Sequence, residues 1–350
     1  MASQSFNYKK YLIGIMVFVL FMTTLIATVG YYKFLAPSIQ NVEKYDPYVY
    51  IPTGTDFNEV KSILSKKNLI DNVNDFEWLA KQMNYVNHIK PGKYKIHNGM
   101  SNKEMIDMLR AGRQEKVMLS INNIRKVEGL ALLISSKLEA DTSEIIKLFS
   151  DSSFLAQYGF NKYNSIGVII PNTYEFYWNT SAKQFFLRML KEYHQFWTVT
   201  RLQAASELGL DPKEVSVVAS IVEKETRKVD EKPILAGIYL NRLEKGWKLE
   251  ADPTLVYALN DFTINRVLNV HKKIISPYNT YLNFGLPPGP ICTPSIESLD
   301  AVLHRQKSAY MFFCAKEDFS GYHNYAVTYN EHLRNARIFQ AALNKRGIMN

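Results

Sequence analysis

The sequence predicts an α+β protein in three parts: a single N-terminal transmembrane helix, a small α+β module and a larger mixed α+β domain. Three observations predict it. Residues 11–32 hold no charged side chain and lie between Lys9-Lys10 and Lys33. Short alternating runs sit beside capped helical runs across residues 48–118. Residues 119–350 are rich in helical patterns, with strand-like runs only at intervals.

The apolar run comes first. About 20 apolar residues are needed to cross a hydrocarbon core, and IGIMVFVLFMTTLIATVG within residues 11–32 is long enough. Tyr11, Tyr31 and Tyr32 stand at its ends, where interfacial aromatics belong. A cleaved signal peptide has a shorter apolar stretch and a small-x-small site. Ala27-Thr28-Val29-Gly30 is a poor version of such a site, so a retained anchor is expected. Two lysines before the span and one after it put residues 1–10 in the cytoplasm by the positive-inside rule. The body then lies outside the cytoplasm, tethered to the cell (inner) membrane by a single pass.

Residues 33–47, with Pro37 and Pro47, read as a stalk. Tyr48-Val49-Tyr50-Ile51 alternates like a strand and Pro52-Thr53-Gly54-Thr55 turns it. Asp56 caps a helix to Lys66 with Val60, Ile63 and Leu64 on one face. A second helix is expected near 75–84, and Lys90-Pro91-Gly92-Lys93-Tyr94 turns into a strand. Ser101 and Glu104 have capping-box spacing for a helix to Leu109. Further on, residues 117–121 and 310–314 read as strands, and a helix runs from Glu128-Gly129 through Leu138.

The formal net charge is +9, but no basic run exceeds three residues and no nucleic-acid motif is present. A cationic surface, and no nucleic-acid partner, is the expectation. Cys292 and Cys314 make neither C-x-x-C nor a metal-ligand spacing, and two free buried thiols are expected. His323 and His332 lack a nearby third ligand, so no metal and no other cofactor is expected. The 22 Tyr and 19 Phe suit sugar-stacking clefts and ordinary cores equally, and decide nothing alone.

The most informative stretch is DPKEVSVVASIVEKET, residues 211–226. Asp211, Pro212 and Glu214 open a helix. Val215, Val218, Ala219 and Val222 form one apolar face, Val217 and Ile221 another, and only Ser220 and Lys224 a polar stripe. Such a helix is buried on most sides. Glu223 flanks the apolar face, where burial raises a carboxyl pKa toward what a general acid needs. A structural ion pair with Lys224, Arg227 or a more distant arginine is the competing reading. Cleaving a glycosidic bond by hydrolysis usually takes a second carboxylate; Glu225, Glu250 and Asp252 are the candidates. Asp252-Pro253-Thr254 also reads as a turn or helix-start cap. The Pro- and Gly-rich run at 276–295 is a stiff loop that serves either as a sugar-binding surface or as a plain connector.

Taken together and in order, VASIVEKET, LAGIYLNRL, ADPTLVYAL, SPYNTYLNFGLPPGPI and the terminal H-x-Y-x-x-T-x-x-E-H resemble the endolytic murein transglycosylase family, the YceG-like lytic transglycosylases. Pro171-Asn172-Thr173-Tyr174-Glu175-Phe176 matches a further element, and the module at 48–118 is similar to a lysin-motif (LysM-like) domain. The resemblance implies that residues 119–350 form a YceG-like catalytic domain and that the chain is a lyase. Glu223 would protonate the oxygen joining N-acetylmuramic acid to N-acetylglucosamine, then accept a proton from the muramic C6 hydroxyl as a 1,6-anhydro end closes. The resemblance further implies that the cut falls within nascent glycan strands and terminates their elongation. The resemblance also carries substrate contacts to Glu225, Asn241, Glu250, Asp252, Thr254, Tyr278, Asn279, Thr280, Tyr281, Pro287, His323, Thr328 and Glu331. The implied partners are glycan strands, the membrane, and peptidoglycan synthases or division proteins. The chain departs from the family pattern at Glu250, where Gln is usual, and at Leu333, where an Asn is usual. A two-carboxylate muramidase-type hydrolase and a non-enzymatic wall-binding or division scaffold are the alternatives.

Overall fold

The computed structural model describes residues 8–37, 39, 46–264 and 266–347. Most of the expected cytoplasmic tail (1–7) and half of the expected stalk (38 and 40–45) lie outside the described residues. The fold is mixed α and β, and the chain divides into two compact units: Met1–Val117 with Glu175–Asn179, and Met118–Tyr174 with Thr180–Asn350.

The first unit begins with α1 (Tyr8–Gly30), which continues as a π-helical turn over Tyr31–Leu35. Among the described residues it is the one helix long and apolar enough to cross a membrane, and none of its side chains is buried by protein. This is consistent with a single-pass anchor. Its hydroxyls are already satisfied: Thr23 and Thr24 donate to the Leu20 carbonyl at 2.9 and 2.7 Å, and Thr28 to that of Thr24 at 2.8 Å. A helix in hydrocarbon requires this, because no water is there to do it. At its end Phe34 stacks on Trp78 with centroids 4.8 Å apart, and Lys33 pairs with Asp75 at 2.9 Å.

The rest of this unit follows its local signals. β1 (Tyr48–Ile51) pairs antiparallel with β2 (Gly92–Lys95). Its alternation puts Val49 and Ile51 in the core and leaves Tyr48 under the Lys93 ammonium, 3.7 Å from the ring centroid. α2 (Phe57–Lys66) is opened by the Asp56/Glu59 capping box, and α4 (Asn102–Ala111) by Ser101/Glu104. α3 (Val73–Gln82) starts two residues before the expected position, because Asn72 is its cap. Asn84, in the left-handed region at φ 54°, turns the chain away after it. Val60, Leu64, Phe76, Tyr94 and Ile106 close the core.

The second unit takes residues 118–121 of β3 (Lys116–Ile121) and 172–174 of β4 (Asn172–Tyr177), strands that form a two-stranded sheet. Between them lie α5 (Val127–Ser135), α6 (Thr142–Ser150) and α7 (Ser152–Ala156). α5 stops short of the expected Leu138. The Ser135 and Ser136 hydroxyls bond the Leu132 and Leu133 carbonyls and compete with the helical ladder there. The chain continues through α8 (Ala182–Phe196), α9 (Val199–Glu207), α10 (Pro212–Glu225), α11 (Lys232–Glu244), α12 (Asp252–Leu259) and α13 (Ile296–Leu303). An antiparallel pair, β5 (Phe312–Ala315) and β6 (His323–Ala326), and α14 (Tyr329–Lys345) complete it.

α10 is the hub, packed against α11, α12 and α13. Every residue from Val215 to Val222 is buried. The expected polar stripe is therefore corrected at Ser220, which is 0% exposed. Its hydroxyl donates to the Val217 carbonyl at 2.7 Å and accepts from the Ile291 amide at 3.0 Å, so it faces protein and not solvent. Both cysteines are free thiols, but only Cys292 is buried; Cys314 lies on the short sheet β5–β6 and is partly exposed.

Candidate active site

Three consecutive side chains, Glu223, Lys224 and Glu225, project from the last turn of α10 about 100° apart, so each enters a different environment. Glu223 meets the start of α11 and the start of α13. Its Oε2 accepts from the Lys232 ammonium at 2.9 Å, the Ser295 hydroxyl at 2.6 Å, the Ser298 hydroxyl at 2.5 Å and the Ser295 amide at 3.4 Å. Among the described residues no group donates to Oε1. One oxygen is thus fixed and the other is free to meet a ligand. Lys232 is nearly buried, with 7% of its side chain exposed against 21% for Glu223.

These partners decide the charge of Glu223. Burial alone pushes the carboxyl up, as the sequence leads one to expect. The Ser295, Ser298 and Lys232 bonds together outweigh burial and hold it below its ordinary value. The resting group is an ionised carboxylate. The competing reading of an ion pair is also met, but with Lys232 and not with Lys224 or Arg227.

The stiff loop delivers these serines. Pro287 lines a cavity of about 460 Å³ with Asp211, Lys213 and Val217, at the opposite end of α10. Ile291 then bonds Ser220, the Cys292 thiol reaches the Ser220 carbonyl at 3.7 Å, and Ser295 reaches Glu223. The loop therefore runs along α10 as a strut. Gly289 is required on its way: a Cβ there would lie 2.0 Å from the Tyr163 carbonyl oxygen. Pro287 is not brought to Glu223; 12 residues at 1.5 Å rise put about 18 Å between the helix positions of Asp211 and Glu223.

Glu225 points elsewhere, to Tyr239 and Asp252. The Tyr239 hydroxyl donates to it at 2.5 Å. Burial, opposed by that bond and reinforced by the nearby Asp252 charge, pushes Glu225 up to about 7. With Asp252, Lys224, Arg125, Arg266 and Tyr257 it lines a cavity of about 410 Å³. Asp252 is the first residue of α12 and not its cap, a position held by Ala251. Its carboxylate instead accepts from the Tyr281 hydroxyl at 2.6 Å. Ser295, which bonds Glu223, lines a smaller cavity of about 250 Å³ with Asn122, Asn172 and Thr173.

Several other predicted site residues hold the framework. Thr254 and Thr280 share a buried hydroxyl contact at 2.8 Å, and Thr280 also accepts from the Ala251 amide at 3.0 Å. Asn279, 0% exposed, donates to the Lys272 and Ile274 carbonyls, and its carbonyl oxygen accepts from the Tyr281 amide. Tyr278 packs on Tyr257 with centroids 4.7 Å apart. Asn241 donates to the Ser308 and Tyr310 carbonyls, both at 2.9 Å. Thr328 and Glu331 are the reciprocal capping box of α14. Glu250 is exposed and sits in the left-handed region at φ 48°; it is not among the groups touching Glu223.

His323 belongs to a cluster that sequence reasoning missed. Its center is Glu231, which is 2% exposed. Glu231 accepts from the Tyr325 hydroxyl at 2.5 Å, the His323 amide at 2.7 Å, His323 Nδ1 at 3.1 Å and the Thr226 hydroxyl at 3.0 Å. One buried carboxylate thus joins the end of the E-K-E-T stretch to the H-x-Y stretch. Lys232, Ser295 and Ser298 were also missed. The one available signal was Lys232 itself, a cation in the first turn of a helix, where the macrodipole disfavours it.

The YceG-like family model matches residues 49–338. The chain belongs to the YceG-like family. Its relatives include an endolytic murein transglycosylase of Bacillus subtilis, 27% identical over 304 residues, covering 82% of this chain and 84% of the relative. An endolytic murein transglycosylase of Streptococcus pneumoniae is 26% identical over 367 residues, and this chain spans 65% of its length. The crystal structure of a YceG-like protein of Listeria monocytogenes aligns with a TM-score of 0.56 at 26% identity, covering 82% of this chain and 97% of that one. The blocks quoted at 171–176, 218–226, 235–243, 251–259, 276–291 and 323–332 all fall within the matched residues.

Proposed function

We propose that the chain is a membrane-anchored peptidoglycan lytic transglycosylase that cuts within glycan strands, with Glu223 as its single catalytic carboxyl. The observation that carries this is the position of Glu223. It bonds Ser295 in the wall of one cavity and is peptide-bonded to Lys224 in the wall of another, and among the described residues no group donates to its Oε1. An enzyme that cuts inside a polymer needs sugar sites on both sides of the scissile bond. Membership in the YceG-like family and the names of the relatives support the same reading.

Protonated Glu223 gives its proton to the oxygen linking muramic C1 to N-acetylglucosamine, and the C1–oxygen bond breaks. The carboxylate left behind takes the proton from the muramic C6 hydroxyl, whose oxygen bonds C1. The bond count balances without water, and the intramolecular hydroxyl replaces a second carboxylate. Lys232, Ser295 and Ser298 hold the carboxylate form for the second step. The first step needs the acid, and a bound glycan supplies the shift by removing water from Oε1 and increasing burial. In this reading the cut ends elongation of nascent strands, synthases and division proteins are neighbours, and the body lies outside the cytoplasm.

A second reading has one specific observation behind it. Glu225, with a pKa of about 7 beside Asp252 in the cavity of about 410 Å³, has the makings of an acid–carboxylate pair in a muramidase-type hydrolase. Mass spectrometry of peptidoglycan digested by the purified chain separates the two. Anhydro-muramic ends that vanish with Glu223→Gln support the lyase. Reducing ends that vanish with Glu225→Gln overturn it.

A further inference from the structure

The cavity of about 410 Å³ is lined by two chemically different sets of side chains. In one set Glu225 and Asp252 lie together with Tyr239 and Tyr281 bonded to them. In the other set Lys224 and Arg125 are neighbours, and the Arg125 guanidinium carbon stands over the Phe262 ring, 4.2 Å from its centroid. Arg266, exposed, joins this wall. Among the described residues none of these three cations has a salt bridge: the ammonium of Lys224 is bonded to the neutral Asn123 side chain and Arg125 to an aromatic face. Two adjacent cations in a half-buried concave wall repel each other and are partly desolvated, an arrangement that an anionic ligand relieves. Arginines in such a setting bind carboxylates bidentately.

We infer that this wall, Arg125 with Lys224 and Arg266, is a subsite for a carboxylate of the peptide substituent carried by the glycan. The inference rests on the proposed reading of the chain as a peptidoglycan enzyme. The sugar of that residue meets the Glu225–Asp252 wall, whose carboxyls accept from hydroxyls, while its peptide reaches the cations. The subsite makes the enzyme select strands that still bear peptides over strands stripped of them. A muramic residue stripped of its peptide keeps only its lactyl carboxylate, close to the ring and without a peptide's reach, so the selection rests on reach as well as on charge.

The test is a binding measurement that needs no turnover. The full-length Glu223→Gln chain in detergent is titrated with soluble uncrosslinked glycan oligomers, with their peptides, without them, and with the peptide carboxylates amidated. The expected result is at least tenfold tighter binding of the peptide-bearing oligomers, a preference that amidation removes and that shrinks with salt. In an Arg125→Ala/Arg266→Ala chain whose circular dichroism matches the parent, the preference falls to near one. Equal affinity for all three oligomers overturns the inference, and so does a preference that survives in the double variant or after amidation. Cleavage by the unsubstituted chain is assayed in parallel. Its absence together with an intact binding preference counts against the lyase reading while upholding the subsite.

Discussion

At the scale of the residue, the chemistry turns on how many donors hold one carboxylate oxygen. Glu223 has three side-chain donors on Oε2, and removing any of them takes away a group that favours the charged form. The kcat/KM profile reports the free enzyme. Since catalysis starts from the acid, kcat/KM is expected to fall as pH rises above a value lower than the ordinary 4.5 of Glu223. Ser298→Ala raises that pKa, so the fall moves to higher pH; a pH–rate series on soluble glycan checks it, and a fall that stays in place refutes the acid role. Glu231 gives a stability prediction of definite sign. Its folded pKa is depressed below 4.5, with the bonds from Tyr325 and His323 outweighing burial. Its contribution is therefore present above the unfolded value near 4.5 and is lost as pH falls through the folded value. Glu231→Gln, which weakens charge-assisted bonds while keeping the shape, is expected to cost about 1.5–3 kcal/mol at neutral pH. It also flattens the loss of stability between pH 5 and the folded pKa, as urea unfolding at several pH values would record.

At the scale of the element, caps and strand alternation were legible because they are local. Asp56, Ser101 and Asp211 each bond a backbone amide three residues on, a relation the sequence displays directly. What could not be read was the pairing across elements. Ser295 and Ser298 reach Glu223 from 72 and 75 residues away. Glu231 gathers residues 92 and 94 positions on. No spacing rule encodes those separations, and Glu231, Ser295 and Ser298 lie outside the blocks that carry the family resemblance. Ser220 shows the reverse error, since a hydroxyl on an otherwise apolar helix looks like a solvent stripe until the loop that covers it is seen. Thr254, Thr280 and Asn279 stand in the quoted blocks too, and their bonds hold the framework. That loop supplies the prediction at this scale. Gly289→Ala would drive a methyl to 2.0 Å from the Tyr163 carbonyl. Backbone has to shift, at a cost of about 1–3 kcal/mol, and the shift propagates to Ser295. Thermal unfolding is expected to show the loss, and cleavage to fall further than stability explains. A variant with lowered stability but full activity would mean the loop does not position the site.

At the scale of the whole molecule, the proposed reaction constrains which way the chain crosses the membrane. α1 leaves little slack at its end: the contacts of Phe34 with Trp78 and of Lys33 with Asp75 tie the first unit to the last turn of the helical run. Wherever residue 35 emerges, that unit emerges with it. Two lysines precede the span and one follows it, a small bias for keeping residues 1–10 in the cytoplasm. Glycan strands lie on the other side, so a lyase acting on them needs that bias to hold. A phosphatase that folds only outside the cytoplasm, fused after Asn350, is expected to be active, and the same enzyme fused before Met1 to be inactive. Lys9→Glu/Lys10→Glu, which leaves Lys33 as the dominant charge, should reduce the C-terminal signal while leaving the second unit's chemistry untouched. If the unsubstituted chain gave the reverse pattern, Glu223 would face the cytoplasm, out of reach of any glycan, and its free oxygen would need a different substrate.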